Sequence, residues 1–147
     1  MLKKIIALSV LTFFFSCNDI KQHNAKRKQE QKKSYLQELL QSAINNDKMH
    51  DIYYPLLTKK EISKIVIIKD SALGVNDSLK LTISGIKLKI LPFNKNIDNY
   101  IEFEKIEIKK DSAFINFLYN WDVVHCQTKY KNINGKFKLT SVRFVMY

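Results

Sequence analysis

Apolar and polar residues alternate through the last 48 positions of the chain in four runs, Tyr100–Lys109, Ser112–Asn120, Trp121–Lys131 and Lys136–Tyr147. Alternation with a period of two marks strands with one buried face. Lys110-Asp111 and Asn134-Gly135 stand at two of the bends. Asn-Gly suits a two-residue type I′ turn, whose central residues both take positive φ. That turn places Ile133 opposite Lys136 and Tyr130 opposite Leu139. Beyond Leu139 the apolar parity slips by one residue, to Val142, Phe144 and Met146. A bulge at Thr140-Ser141 absorbs the slip and pairs Val142 with Thr128, Phe144 with Cys126 and Met146 with Val124.

A turn at Asn120-Trp121 predicts Phe117 opposite Val124, Ile115 opposite Cys126 and Ala113 opposite Thr128. A turn at Lys110-Asp111 sets Ile108 opposite Ala113 and Ile106 opposite Ile115. A second slip, at Glu104-Lys105, then brings Phe103 beside Phe117 and Ile101 beside Tyr119. Three turns chosen separately collect the strongest apolar residues on one face, and bulges in both outer strands should curl the sheet around it.

Upstream the period changes. Tyr35, Leu36, Leu39, Leu40, Ala43 and Ile44 recur at helical spacing, predicting an amphipathic helix from near Lys28 to Asn45-Asn46 that fills the concave side of the sheet. Tyr53-Tyr54-Pro55 forbids continuation. Thr58-Lys59-Lys60-Glu61 has capping-box spacing ahead of a short helical turn. Lys64–Lys69 reads as a strand, Asp70–Ser78 as a loop, and Leu79–Phe93 as two short extended pieces around Gly85, a helical turn before Gly85 being the alternative. The fold class is α+β, an N-terminal amphipathic helix packed on a curled, mainly antiparallel sheet that ends in a four-stranded meander.

The first residues follow a different logic. Met1-Leu2-Lys3-Lys4 is a short positive start, Ile5–Phe15 is an eleven-residue apolar run broken only by Ser9 and Thr12, and Ser16-Cys17 follows. Eleven residues fall well short of the ~20 that span a bilayer core, so the layout is that of a secretory signal. Phe14-Phe15-Ser16-Cys17 resembles the lipobox of bacterial lipoproteins, with Phe14 where Leu is commonest. The resemblance implies cleavage before Cys17, a diacylglyceryl thioether on its sulfur and a further acyl chain, such as palmitate, on its amine. It implies a membrane partner held through lipidated Cys17 and a place in a bacterial cell envelope, with the outer membrane ahead of the inner. At about 0.8 kcal/mol per buried CH₂, two or three chains make the attachment essentially permanent. The organisation expected is a signal peptide over 1–16, a basic tether over 17–34 and one α+β domain over 35–147.

Charge and cysteine content change meaning on that division. The chain carries a formal +11 from 25 Lys+Arg and 14 Asp+Glu. Only Arg27 and Arg143 are arginine, and lysine is a poor bidentate reader of phosphate or guanine. Two charges leave with Lys3 and Lys4, residues 17–34 hold a net +4, and +5 is spread over the domain. The tether reads either as an arm drawn to an anionic leaflet or as a soluble spacer; thirteen flexible residues span roughly 20 Å. Export and dispersed lysines exclude nucleic acid as a partner. With Cys17 alkylated, Cys126 is the one remaining thiol and no internal disulfide forms.

The final hairpin, Lys129–Lys138, and the order of helix before meander resemble the cystatin-like superfold, in particular domains similar to nuclear transport factor two found in small envelope lipoproteins. The resemblance covers about two-thirds of the chain and implies a fold shared by binding modules and enzymes, so it selects no function.

The chemistry-bearing residues are few. His23, His50 and His125 belong to no metal spacing, no cofactor is implied, and glycines at 74, 85 and 135 alone leave no phosphate loop. His125 and Cys126 are strand neighbours on opposite faces, which excludes a nucleophile dyad. On the second sheet face Phe114, Leu118, Trp121 and Val123 gather beside His125, with Asn116, Gln127 and Lys129 continuing as polar groups. This candidate patch lies either under a segment such as Tyr53-Tyr54 to Leu57 or open to a partner. Two readings follow. The first is a non-catalytic, lipid-anchored binding module for an envelope protein or small ligand. The alternative is an enzyme with a pocket between helix and sheet, drawing on Tyr53, Tyr54 or His125 as acid and base; no Asp/Glu/His set is brought together by sequence alone.

Overall fold

Leu39, Leu40, Ala43 and Ile44 are buried along one side of α1, residues 30–44. The computed structural model describes residues 27, 30–52, 57–121 and 123–146, and the side chains of Ile52 and Met146 fall outside that description, as do Cys17, Tyr53 and Tyr54. Gln37–Tyr147 is one compact unit. The described residues ahead of it are helical, and Lys28, the expected start of the helix, lies outside the described residues.

Asn46 closes α1 and opens the next helix. Its Nδ2 donates to the Ala43 carbonyl at 2.6 Å, and its Oδ1 accepts from the Met49 amide at 3.0 Å. That second bond is an N-cap, and it starts α2 (Asp47–Ile52), a helix the polar sequence does not announce. Thr58 caps α3 (Lys59–Ile62) with the complete reciprocal box: the Thr58 hydroxyl accepts from the Glu61 amide and the Glu61 carboxylate accepts from the Thr58 amide. The Thr58 backbone amide holds the Glu61 carboxyl below its ordinary range.

The strands are β1 (Val66–Ile68), β2 (Thr82–Ile83), β3 (Ile86–Lys87), β4 (Lys89–Leu91), β5 (Tyr100–Ile108), β6 (Ser112–Tyr119), β7 (Val124–Ile133) and β8 (Lys136–Met146). Six of them form one sheet in the order β4-β1-β5-β6-β7-β8. From β5 onward it is the antiparallel meander, but β1 runs parallel to both β4 and β5. All three residues of β1 are buried, as suits an interior strand covered on both faces. The region 79–93 is extended, without the helical turn. Ser84 (φ 49°) and Gly85 (φ 80°) make a tight reversal between β2 and β3.

Gln41 substitutes for a missing strand beside β2. Its Oε1 accepts from the Thr82 amide at 2.9 Å and its Nε2 donates to the Thr82 carbonyl at 2.7 Å, while Asn45 Nδ2 donates to the same carbonyl at 3.0 Å. Ser42 and Asn46 act on Tyr130 and Cys126, which places the C-terminal part of α1 against the inner face of β7.

Two of the three expected hairpin registers hold throughout. Around Asn134 (φ 54°) and Gly135 (φ 81°), Ile133 pairs with Lys136 and Tyr130 with Leu139; the register then shifts so that Val142 meets Thr128, Phe144 meets Cys126 and Met146 meets Val124. Between β5 and β6, Ile108 pairs with Ala113 and Ile106 with Ile115, and after a bulge Phe103 meets Phe117 and Ile101 meets Tyr119.

The middle hairpin differs. Tyr119 pairs with Val124, Phe117 with Cys126, Ile115 with Thr128 and Ala113 with Tyr130, two residues away from the register that a turn at Asn120-Trp121 requires. Asn120 stays bonded toward β5 instead of turning into β7, its amide donating to the Tyr100 carbonyl at 3.0 Å and its Nδ2 to the Asp98 carbonyl at 3.1 Å. Val123 takes a positive φ of 53° to re-enter the strand. The loop therefore has four residues, and because the offset is two, each side chain keeps its face. Ala113, Ile115, Phe117, Tyr119, Val124, Cys126, Thr128 and Tyr130 all face the core.

Candidate functional site

The same alternation that buries Phe117 and Cys126 sends Phe114, Asn116, Leu118, His125, Gln127 and Lys129 to the other face of β6 and β7. Phe114, Leu118 and His125 are half-buried there. Trp121 and Val123, in the β6–β7 loop, are 39% and 49% exposed. The five residues picked out by pattern thus share one face and its adjoining loop, Trp121 and Val123 being the open part. Tyr53 and Tyr54, named as a candidate pocket, lie outside the described residues.

The patch extends further than the pattern showed. Phe93, 59% exposed, sets its ring edge-on to Tyr100, with centroids 5.8 Å apart and planes at 85°. Tyr100 is the residue whose carbonyl holds Asn120, so the Phe93 pair and the Trp121 loop border one another at the same end of the sheet. Phe93 stands between Leu91-Pro92 and Asn94 with no periodic partner. Only the fold of the 92–99 loop reveals it.

At the centre of the face lies a polar cluster. Glu104 Oε2 accepts from Asn116 Nδ2 at 2.7 Å and lies 3.1 Å from His125 Nδ1. Glu104 is the bulged residue of β5, opposite no residue of β6. A bulge turns a side chain out of the strict alternation, which lets this carboxylate reach across β6 toward β7. The parity slip in the sequence predicts the bulge at Glu104-Lys105 but brings no carboxylate to His125, and the observed pair corrects that expectation. His125 stands on the face away from α1, which removes it from any pocket between helix and sheet. The carboxylate orients the imidazole.

Toward the β5–β6 turn the face is basic. Lys105 Nζ lies 5.8 Å from the centroid of the Phe114 ring and 3.0 Å from the Glu107 carboxylate. That hydrogen bond and charge hold the Glu107 carboxyl below its usual range. A concavity of about 390 Å³ opens beside Phe114, lined also by Glu107, Lys109, Ser112, Lys129 and Thr140.

Cys126 is on the inner face and fully buried. Burial pushes its thiol up to about 12, against the smaller opposing effects of the Asn46 side chain and Lys48. A thiol so placed is inert near neutrality, and strand geometry keeps it from His125. Among the described residues no group of three or more His, Cys, Asp or Glu side chains is arranged to hold a metal, and no described helix is long and apolar enough to cross a membrane.

No protein-family model matches the chain, and comparison with curated proteins and with solved structures finds no match.

Proposed function

We propose that the chain is a lipoprotein anchored through Cys17 in a bacterial cell envelope, on the outer membrane in preference to the inner, and that its α+β domain is a non-catalytic binding module for an envelope protein or a small ligand. The observation that carries the binding reading is the outer sheet face, where Trp121 and Val123 stay exposed at the end of β6 past half-buried Leu118, with half-buried Phe114 toward the other end of the strand. An apolar surface of this kind, rimmed by polar groups, fits a partner. The anchor reading is supported by Lys3-Lys4, the apolar run Ile5–Phe15 and Ser16-Cys17.

The cystatin-like comparison belongs to the same proposal. A helix ahead of a meander with bulges in β5 and β8 supports it, while the parallel β1 is an addition to that plan. The alternative of an enzyme draws support from one specific feature, the imidazole of His125 oriented by Glu104. A carboxylate–imidazole pair is half of an acid–base apparatus.

Fractionation with metabolic lipid labelling tests the anchor. The wild-type chain should take up labelled palmitate and sediment with membranes, and Cys17→Ser should lose the label and the cleavage. If Cys17→Ser is still cut and labelled, the anchor reading is wrong.

A further inference from the structure

The basic concavity beside Phe114 has a chemistry of its own, apart from the apolar end at Trp121. Its lining supplies two ammonium groups, Lys109 and Lys129, against one carboxylate, Glu107, which Lys105 already engages at 3.0 Å. Neither Lys109 nor Lys129 is in an ion pair among the described residues. Two hydroxyls, those of Ser112 and Thr140, line the same space, and the half-buried Phe114 ring contributes an apolar wall. The volume, about 390 Å³, lies in the range that holds a small organic molecule.

The strand β7 and its partner β8 sharpen the sign of the field. From Val124 to Met146 they carry Lys129, Lys131, Lys136, Lys138 and Arg143 and no Asp or Glu. The β5–β6 turn adds Lys110, whose carbonyl accepts from Asn132 Nδ2 at 2.9 Å and is thereby fixed beside β7, together with Asp111, whose Oδ1 accepts from the Ser112 hydroxyl at 3.1 Å. These two charges cancel, so the positive sign comes from β7 and β8. Concentrated charge of one sign around a recess raises the local concentration of the opposite ion.

We propose that this cavity binds a small organic anion with a planar or apolar body, its carboxylate, sulfonate or phosphate directed to Lys109 and Lys129 and its body laid against Phe114. The proposal rests on the outer face being a binding surface and names the chemistry it takes at one end. The Ser112 hydroxyl already donates to Asp111 Oδ1 at 3.1 Å and the Thr140 hydroxyl to the Lys129 carbonyl at 3.0 Å, so the two ammonium groups carry the recognition of the anionic oxygens, and Lys105, already over the Phe114 ring, closes the Glu107 side. The anionic group can come from a free metabolite or from a lipid headgroup.

The test is a ¹⁹F NMR titration of 4-fluorophenyl phosphate into the full chain reconstituted in phosphatidylcholine nanodiscs, with 4-fluoroanisole as the neutral counterpart. The phosphate should bind and the anisole should not. Lys129→Glu, at an exposed side chain, should weaken binding by roughly tenfold, since reversing a charge beside a ligand changes attraction to repulsion; Lys109→Glu should do the same. Phe114→Leu should weaken binding of the phosphate while leaving its salt dependence intact. Phenyl phosphate should displace the probe in either case; stronger displacement by phosphatidylglycerol vesicles than by phenyl phosphate at equal phosphate concentration assigns a headgroup, weaker displacement a free anion, and either keeps the site. Equal binding of the neutral compound, no binding of the phosphate, or unchanged affinity in both lysine variants overturns the proposal. Cys17→Ser fractionation and partner capture through Trp121 are read separately, so failure here is distinguishable from failure of the anchored-module reading.

Discussion

Glu104 and His125 meet at 3.1 Å although the strands that carry them are not neighbours, because β6 runs between β5 and β7. Strand spacing puts backbones two strands apart at nearly 10 Å. The bulge at Glu104 and the Asn116 amide, donating to the same carboxylate oxygen from β6, close that distance. Glu104→Ala leaves both the amide and the imidazole without their shared acceptor. With the two side chains 32% and 23% exposed, the expected cost is about 1 kcal/mol or less. A double-mutant cycle with Asn116→Ala in chemical denaturation measures it, and a cost above roughly 3 kcal/mol would mean the cluster is structural core.

Burial of Cys126 predicts a loss of stability in alkali. Unfolded, the thiol ionises near its ordinary value of 9.0, whereas in the folded chain it keeps its proton up to about 12. Between those values the unfolded chain binds fewer protons, so stability is intact below pH 9 and falls as the pH rises toward 12. Tyr130, also raised by burial, adds to the same slope from its own ordinary value upward. Denaturation at pH 8 and pH 10.5 should show the loss in wild type and a smaller one in Cys126→Val. Thiol reagents at pH 8 should label Cys126 only at the rate of unfolding.

Gly135 should tolerate no side chain cheaply even though space is available. An added Cβ meets nothing within 4 Å, yet φ is +81°, where L-residues are strained. Gly135→Ala should cost about 1 kcal/mol and Gly135→Asn less, as thermal melts of the two variants can compare.

Trp121 and Phe117 lie near each other in sequence and differ in kind. Phe117 is fully buried and packs on Phe103, with ring centroids 5.7 Å apart, so Phe117→Ala should cost about 3–5 kcal/mol. Trp121 is 39% exposed, and Trp121→Ala should cost below about 1.5 kcal/mol. If the outer face is the docking surface, in-cell photocrosslinking followed by mass spectrometry should lose its partner in Trp121→Ala at unchanged melting temperature. A folded Trp121→Ala that keeps every crosslink removes Trp121 from the interface.

Much of this arrangement was legible because its determinants are local. Asn134-Gly135 and Lys110-Asp111 specify two-residue reversals by backbone preference, and the parity slips at Glu104 and Thr140 betray the bulges. The middle hairpin failed for the opposite reason. Its loop length depends on Asn120 bonding to the Asp98 and Tyr100 carbonyls, twenty residues away in the chain, and no short-range rule encodes that. The α2 helix escaped notice because its stability comes from the Asn46 cap and from burial of Met49 instead of from an amphipathic stripe.

By itself the sequence determined which residues face the core of the meander, since a period of two survives even a two-residue error in register. It also determined the expectation of an anchor at Cys17 and the surplus of lysine. Tertiary structure decided what meets what. The parallel seat of β1 between β4 and β5, the Phe93–Tyr100 pair, the Glu104–His125 contact across β6 and the basic recess beside Phe114 all join positions distant in the chain. Such contacts arise from bulge geometry and loop anchoring, which depend on neighbours in space, whereas alternation and turn preference depend on neighbours in sequence.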